Sequence, residues 1–169
     1  MNSSKDIYQQ FVAFEEQAAA IYLAMASRFS PENPELAAFW LDMGMQEKQH
    51  AGLLQFCIAE ELFATDLPSE KQIQETNALF DNLRRRAAKP DLSVEEAFKI
   101  ATLMEASEVN DIYGHLTTPV HASTYLLRRK LATTLPDHVG NLYKVARKHN
   151  VPEETLKELE RTASRHSSQ

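Results

Sequence analysis

A single cysteine among 169 residues, Cys57, excludes an internal disulfide and any metal knuckle built on a CxxC pair. Its neighbours Phe56 and Ile58 mark it as a packed thiol rather than a reactive one. Four glycines and seven prolines leave little material for many tight turns, which disfavours a fold of short strands. No apolar run approaches the roughly 20 residues that a membrane span needs. The polar opening, Met1 to Asp6, also lacks the apolar stretch of a signal peptide, so a membrane is not an expected partner and a cytoplasmic location is expected. Positive charge is in deficit: 18 Lys and Arg face 24 Asp and Glu, a net charge of -6 that disfavours attraction to a phosphate backbone. Nucleic acid is therefore not expected as a partner, and the basic clusters Arg84 to Arg86 and Arg128 to Lys130 read as solvated helix faces.

What is present is helical periodicity. A length of 169 residues suits one domain, 1–169, able to bury a core without disulfides. The first periodic segment runs from about Asp6 to Phe29, with Ile7, Phe11, Phe14, Ala18, Ile21, Met25 and Phe29 spaced by threes and fours. Asn33-Pro34-Glu35 then supplies an N-cap, a proline at the first helical position and an acid in the first turn. That second helix is expected to reach about Phe63, with Leu36, Phe39, Met43, Leu54 and Cys57 inside. Residues 64–90 are less periodic, although Ser69 to Gln72 forms a capping-box pattern before a shorter helix through Leu83. This stretch is long enough to cross the length of a bundle made of two helical hairpins. Ser93 to Glu96 repeats the capping box for a third long helix, expected to end near Leu116 before Pro119. A fourth is expected from about His121 to Asn150, where Pro136 either kinks the helix or restarts it, and a short one from Pro152 to about Ser164. The fold class is all-α: an antiparallel four-helix bundle with a crossover connection and a short C-terminal helix.

The chemistry lies in the charged groups that fall inside apolar stripes, since a buried carboxylate must be neutralised, paired or bound to a cation. At about 100 degrees per residue, Glu15 lies beside Phe11, Ala18 and Tyr22, while Glu16 points aside. Glu47 and His50, three apart, both fall in the stripe of Met43, Leu54 and Cys57. Glu105 sits among Phe98, Ala101, Val109 and Ile112, with Glu108 one turn on at the stripe's edge. His138 lines up with Leu131, Thr134, Leu142 and Val145. A lone inward histidine is commonly a hydrogen-bonded core residue. Here, however, every long helix brings at least one carboxylate or imidazole, and no Lys or Arg falls in the same layers. A multivalent cation is the simplest partner, and oxygen ligands joined by imidazoles suit iron or manganese.

These patterns resemble the rubrerythrin branch of the ferritin-like superfamily over roughly Phe11 to Val145. Glu15-x-x-Ala18-x-x-x-Tyr22 is similar to that family's first-helix signature, and Glu47-Lys48-Gln49-His50-Ala51 to its ExxH followed by a small residue. Glu105-Ala106-Ser107-Glu108 with Tyr113 downstream looks like its paired acids and tyrosine, and His138 stands at about the expected distance. The resemblance implies a ferritin-like bundle whose metal ligands are Glu15, Glu47, His50, Glu105, Glu108 and His138. It also implies hydrogen bonds from Tyr22 and Tyr113 to metal ligands, iron as the cofactor (one or two ions, with manganese or zinc as alternatives) and a homodimer. The implied activity is peroxide or dioxygen reduction. The chain departs from the family on the fourth helix, where a bridging Glu is expected three or four positions before the histidine and Leu135 and Thr134 stand instead. The family's rubredoxin domain is missing too, so an electron donor has to be a separate protein. The alternative function is a redox-inactive helical bundle with a degenerate metal site, serving interaction or assembly.

Overall fold

Ser3 sets the start of the first helix. In the computed structural model, which describes residues 3–107 and 138–167, α1 runs Ser4–Phe29. The Ser3 hydroxyl accepts the Asp6 backbone N–H at 3.2 Å, and Asp6 Oδ2 accepts the Ser3 N–H at 2.9 Å. This capping box satisfies N–H groups that have no partner within the helix. The helix therefore starts two residues before the expected Asp6, which is its third residue and closes the box back onto Ser3.

The second helix, α2 (Pro34–Ala59), begins where its cap was read: Asn33 Oδ1 accepts the Leu36 N–H at 3.1 Å. It ends four residues short of the expected Phe63. Glu61 takes the left-handed conformation (φ 53), Leu62 N–H donates to the Cys57 carbonyl at 2.8 Å, and Glu61 N–H donates to that of Ile58 at 3.4 Å. That pattern is a Schellman stop built without glycine. Phe63, which extends the apolar run in sequence, packs instead edge-on against Tyr8, with ring centroids 5.0 Å apart. The two helices are antiparallel, for Tyr8 meets Ala64, Glu15 meets His50 and Tyr22 meets Trp40. Gly44 sits at a close approach of the two: a Cβ there would lie 3.1 Å from Leu23 Cγ and 3.2 Å from the Ala19 carbonyl oxygen.

The crossover carries α3 (Glu70–Ala87), capped by Ser69 and Gln72 as expected and one turn longer than expected. Its buried face, which includes Ile73, Phe80 and Leu83, lies on α1, where Phe80 stacks on Phe14 at 5.7 Å. Arg84 to Arg86 fall in its last turn, where they complement the helix dipole. The next helix, α4 (Val94–Glu105), has half of the expected box: the Ser93 hydroxyl accepts the Glu96 N–H at 3.1 Å, but Glu96 Oε1 accepts from Arg86 Nε at 2.7 Å. Its described span closes at Glu105, with the Ala106 N–H donating to the Thr102 carbonyl at 2.9 Å. Residues 108–137 lie outside the described residues, and with them the expected end of the third helix near Leu116, the expected start of the fourth near His121 and the choice at Pro136.

The described part of the fourth long helix is α5, residues 138–148. It closes with a second Schellman pattern, Asn150 at φ 52 and the Val151 N–H donating to the Ala146 carbonyl at 3.2 Å. The last helix, α6 (Glu153–Ser167), follows Pro152 and packs on α4. Lys148 of α5 pairs with Glu35 of α2. The expected all-α helical bundle is what forms: among the described residues there is no strand. No helix among them is long and apolar enough to cross a membrane.

Candidate metal centre

Helical spacing brings five of the six expected ligand residues to one place in the core. Glu15 comes from α1, Glu47 and His50 from α2, Glu105 from the last position of α4, and His138 from the first described position of α5. All are between 1% and 5% exposed. The i, i+3 spacing puts Glu47 and His50 on one face, with Glu47 Oε2 2.9 Å from His50 Nδ1. Glu15 Oε2 lies 3.7 Å from the same nitrogen. On the other side, His138 Nε2 lies 3.3 Å from Glu47 Oε1 and 3.0 Å from Glu105 Oε1. Glu47 is thus the common member, one oxygen turned to each imidazole. Ligand atoms of Glu47, His50 and His138 all lie within 4.8 Å of one another, an arrangement that could hold a metal ion.

Burial sets the electrostatics. It pushes the Glu15 carboxyl up to about 8, with the Glu47 carboxylate adding to the rise and His50 opposing it. Burial works against a charged His50, but the carboxylates of Glu15 and Glu47 outweigh it and raise the imidazole to about 10. His138 is raised in the same way, burial opposing and Glu105 and Glu47 prevailing. Without a metal, then, the cluster neutralises itself by keeping protons. No Lys or Arg is buried among the described residues to take that role. Glu15 Oε1 is fully enclosed and has no hydrogen-bond partner among the described residues. A buried acceptor in that state is costly and calls for a cation. Three carboxylates with two imidazoles fit a hard or borderline divalent metal such as iron, manganese or zinc.

The surrounding side chains fix the ligands. Tyr22 O–H donates to Glu105 Oε1 at 2.7 Å, as the resemblance implied. Burial and then the Glu105 charge hold its hydroxyl well above the ordinary tyrosine range, so it stays a donor. Tyr22 stacks on Trp40 (centroids 5.8 Å, 13° between planes), and Trp40 packs on Phe98 at 4.8 Å. Trp40 did not stand out in the sequence, where Phe39 was placed inside; in the fold Trp40 is fully buried and Phe39 half-buried. Its position gives the missing signal: it precedes Glu47 by seven residues, two turns along the same helical face. Glu16 does point aside, pairing with Lys48 at the surface. Glu108, Tyr113, Thr134, Leu135 and Asp137 lie outside the described residues.

The rubrerythrin family matches residues 9–121, a span that takes in Glu15, Glu47, His50, Glu105 and Glu108 and stops short of His138. No curated protein and no solved structure matches the chain.

Proposed function

The chain belongs to the rubrerythrin family, and from that premise we propose that it is a non-haem iron protein, holding one or two ions and reducing peroxide or dioxygen. The observation that carries the reading is the placement of the Glu47 carboxylate between His50 and His138 in a core without a buried Lys or Arg among the described residues. Glu15, Glu47, His50, Glu105 and His138 would hold the metal, with Glu108 as a further ligand by family resemblance. When bound, iron supplies electron-transfer chemistry and an open coordination position for the oxidant.

The chain's own contribution is orientation and exclusion of water. Tyr22 fixes Glu105 through its hydroxyl, and Trp40, stacked on Tyr22 and itself packed against the tilted ring of Phe98, supports it from behind. Protons kept by Glu15, His50 and His138 in the metal-free state are the ones a cation displaces. The electrons come from outside these 169 residues, whose one cysteine cannot form a rubredoxin-type iron site.

A second reading, a redox-inactive bundle for assembly, is favoured by one observation: Leu135 and Thr134 stand where the family places an acid. Metal analysis of protein purified from iron-replete cells separates the two. Roughly one or two iron ions per chain are expected, falling to trace in Glu47→Ala, together with peroxide consumption by the reduced wild-type protein. Metal content unchanged in Glu47→Ala sinks the site assignment; trace metal in the wild type favours the second reading.

A further inference from the structure

Trp40 is the only tryptophan in the chain, and it is fully buried. Its indole N–H is enclosed and has no hydrogen-bond partner among the described residues. A buried tryptophan normally finds a partner for that group, and leaving such a donor unpaired costs about 1–3 kcal/mol. A phenyl ring fills similar space without the penalty, as Phe39 and Phe98 do beside it, each with its ring centroid 4.8 Å from that of Trp40. Packing alone therefore does not account for an indole at this place. A buried polar group left unsatisfied in this way calls for a further role, and redox chemistry is one.

An indole gives up an electron far more readily than a phenyl ring, and Trp40 lies on a continuous path of contacts. Glu105, a proposed ligand, accepts from the Tyr22 O–H at 2.7 Å, and the Tyr22 ring lies 6.2 Å from that of His138. Trp40 stacks on Tyr22 with 13° between the planes. Phe39, packed on Trp40, is half-buried and so reaches solvent. The contacts thus run without a gap from two ligands to the surface. Of the two oxidisable rings on this path, Tyr22 is the poorer place to leave an electron vacancy. On losing an electron it would pass its proton across the 2.7 Å bond to Glu105 and disturb a ligand. Trp40 has no acceptor for its N–H among the described residues, so its proton stays and the electron returns to an unchanged indole.

We propose that Trp40 is an electron relay, which passes an electron inward through Tyr22 to the metal centre and is refilled from the surface past Phe39. The relay rests on the peroxide-reducing function proposed above. Hydrogen peroxide takes up two electrons and two protons, its O–O bond breaks, and two waters form. One electron comes directly from the external donor and one from Trp40, solvent supplies the protons, and a second donor electron returns the oxidised indole to its neutral state.

The full-length, iron-loaded protein is reduced, freed of donor, mixed with excess hydrogen peroxide and frozen for electron paramagnetic resonance. An organic radical is expected. Because the chain has one tryptophan, protein grown on indole-deuterated tryptophan should show narrowed hyperfine lines. Trp40→Phe is expected to lose the signal, and Trp40→Tyr, which restores an oxidisable ring, to regain an organic radical. Peroxide consumption without a radical, or with one that the labelled tryptophan leaves unchanged, overturns the relay and leaves the function standing. A signal retained in Trp40→Phe does the same. A wild type that takes up no iron or consumes no peroxide overturns both. Should Trp40→Phe fail to fold, the labelled wild type decides by itself.

Discussion

At the residue scale, the metal centre is governed by groups that hold protons they would release in water. Glu15 is raised from its ordinary value to about 8 and His50 to about 10. The folded, metal-free protein therefore binds more protons than the unfolded chain across that interval, and its stability has to fall as pH rises from about 5 towards 10. Metal binding runs the other way, because the ligands must be deprotonated to coordinate. Urea midpoints of metal-free protein at about pH 6 and about pH 9 should thus decrease with pH, while the extra stability conferred by added metal increases; a metal-free midpoint flat over that range contradicts the buried cluster. Tyr22→Phe removes the 2.7 Å hydroxyl donor to Glu105 Oε1 and leaves that oxygen to His138 Nε2 at 3.0 Å. It is expected to cost about 0.5–1.5 kcal/mol of stability and roughly 10- to 100-fold in metal affinity, read by denaturation and by metal titration. Affinity equal to wild type would make Tyr22 a packing residue only.

At the element scale, two helix ends use the same stop with different residues. Glu61 and Asn150 both occupy the left-handed region, at φ 53 and φ 52, but asparagine tolerates that conformation far better than glutamate. Glu61→Gly should relieve the strain at the end of α2 and, after the added freedom of the unfolded chain is subtracted, stabilise by about 0.5–1 kcal/mol. Asn150→Gly should change stability less. Thermal midpoints of the two variants check the ordering, and a destabilised Glu61→Gly contradicts the account. These ends also mark where helical periodicity misleads. Leu62 and Phe63 extend the apolar pattern of α2, but Phe63 gains more by packing on Tyr8 than by another turn, and only the neighbouring helix can provide that ring. Caps at Asn33, Ser69 and Ser93 were readable since each satisfies its own backbone within three residues. Glu96 was lost from its box to Arg86, a residue ten positions away that the local pattern does not see.

At the scale of the whole molecule, α2 carries two of the proposed ligands on the face it buries against α1. Glu47→Ala should therefore lose metal while its helicity stays that of wild type, checked by circular dichroism; a large loss of helicity in that variant would mean that α2 itself had unfolded. Metal removal by a chelator should lower the thermal midpoint, and re-addition should restore it. At a hundredfold excess of free metal over its dissociation constant the effect is about 2.7 kcal/mol, so a chelator-insensitive midpoint argues against a resident metal.

Local spacing alone determined that the chain is helical, the caps at Asn33, Ser69 and Ser93, and the inward direction of Glu15, Glu47, His50 and Glu105, because 3.6 residues per turn fixes which side chains share a face. His138 was legible as an inward imidazole, although it lies beyond the residues that the family matches. Its meeting with Glu47 and Glu105, 91 and 33 positions earlier, is a contact that no spacing within one helix encodes. The same holds for the support of Tyr22 by Trp40. The sequence by itself put acids and imidazoles on inner faces. Only tertiary packing decided that the Glu47 carboxylate stands between two histidines, since burial against other helices is what removes the water that would otherwise have paired them.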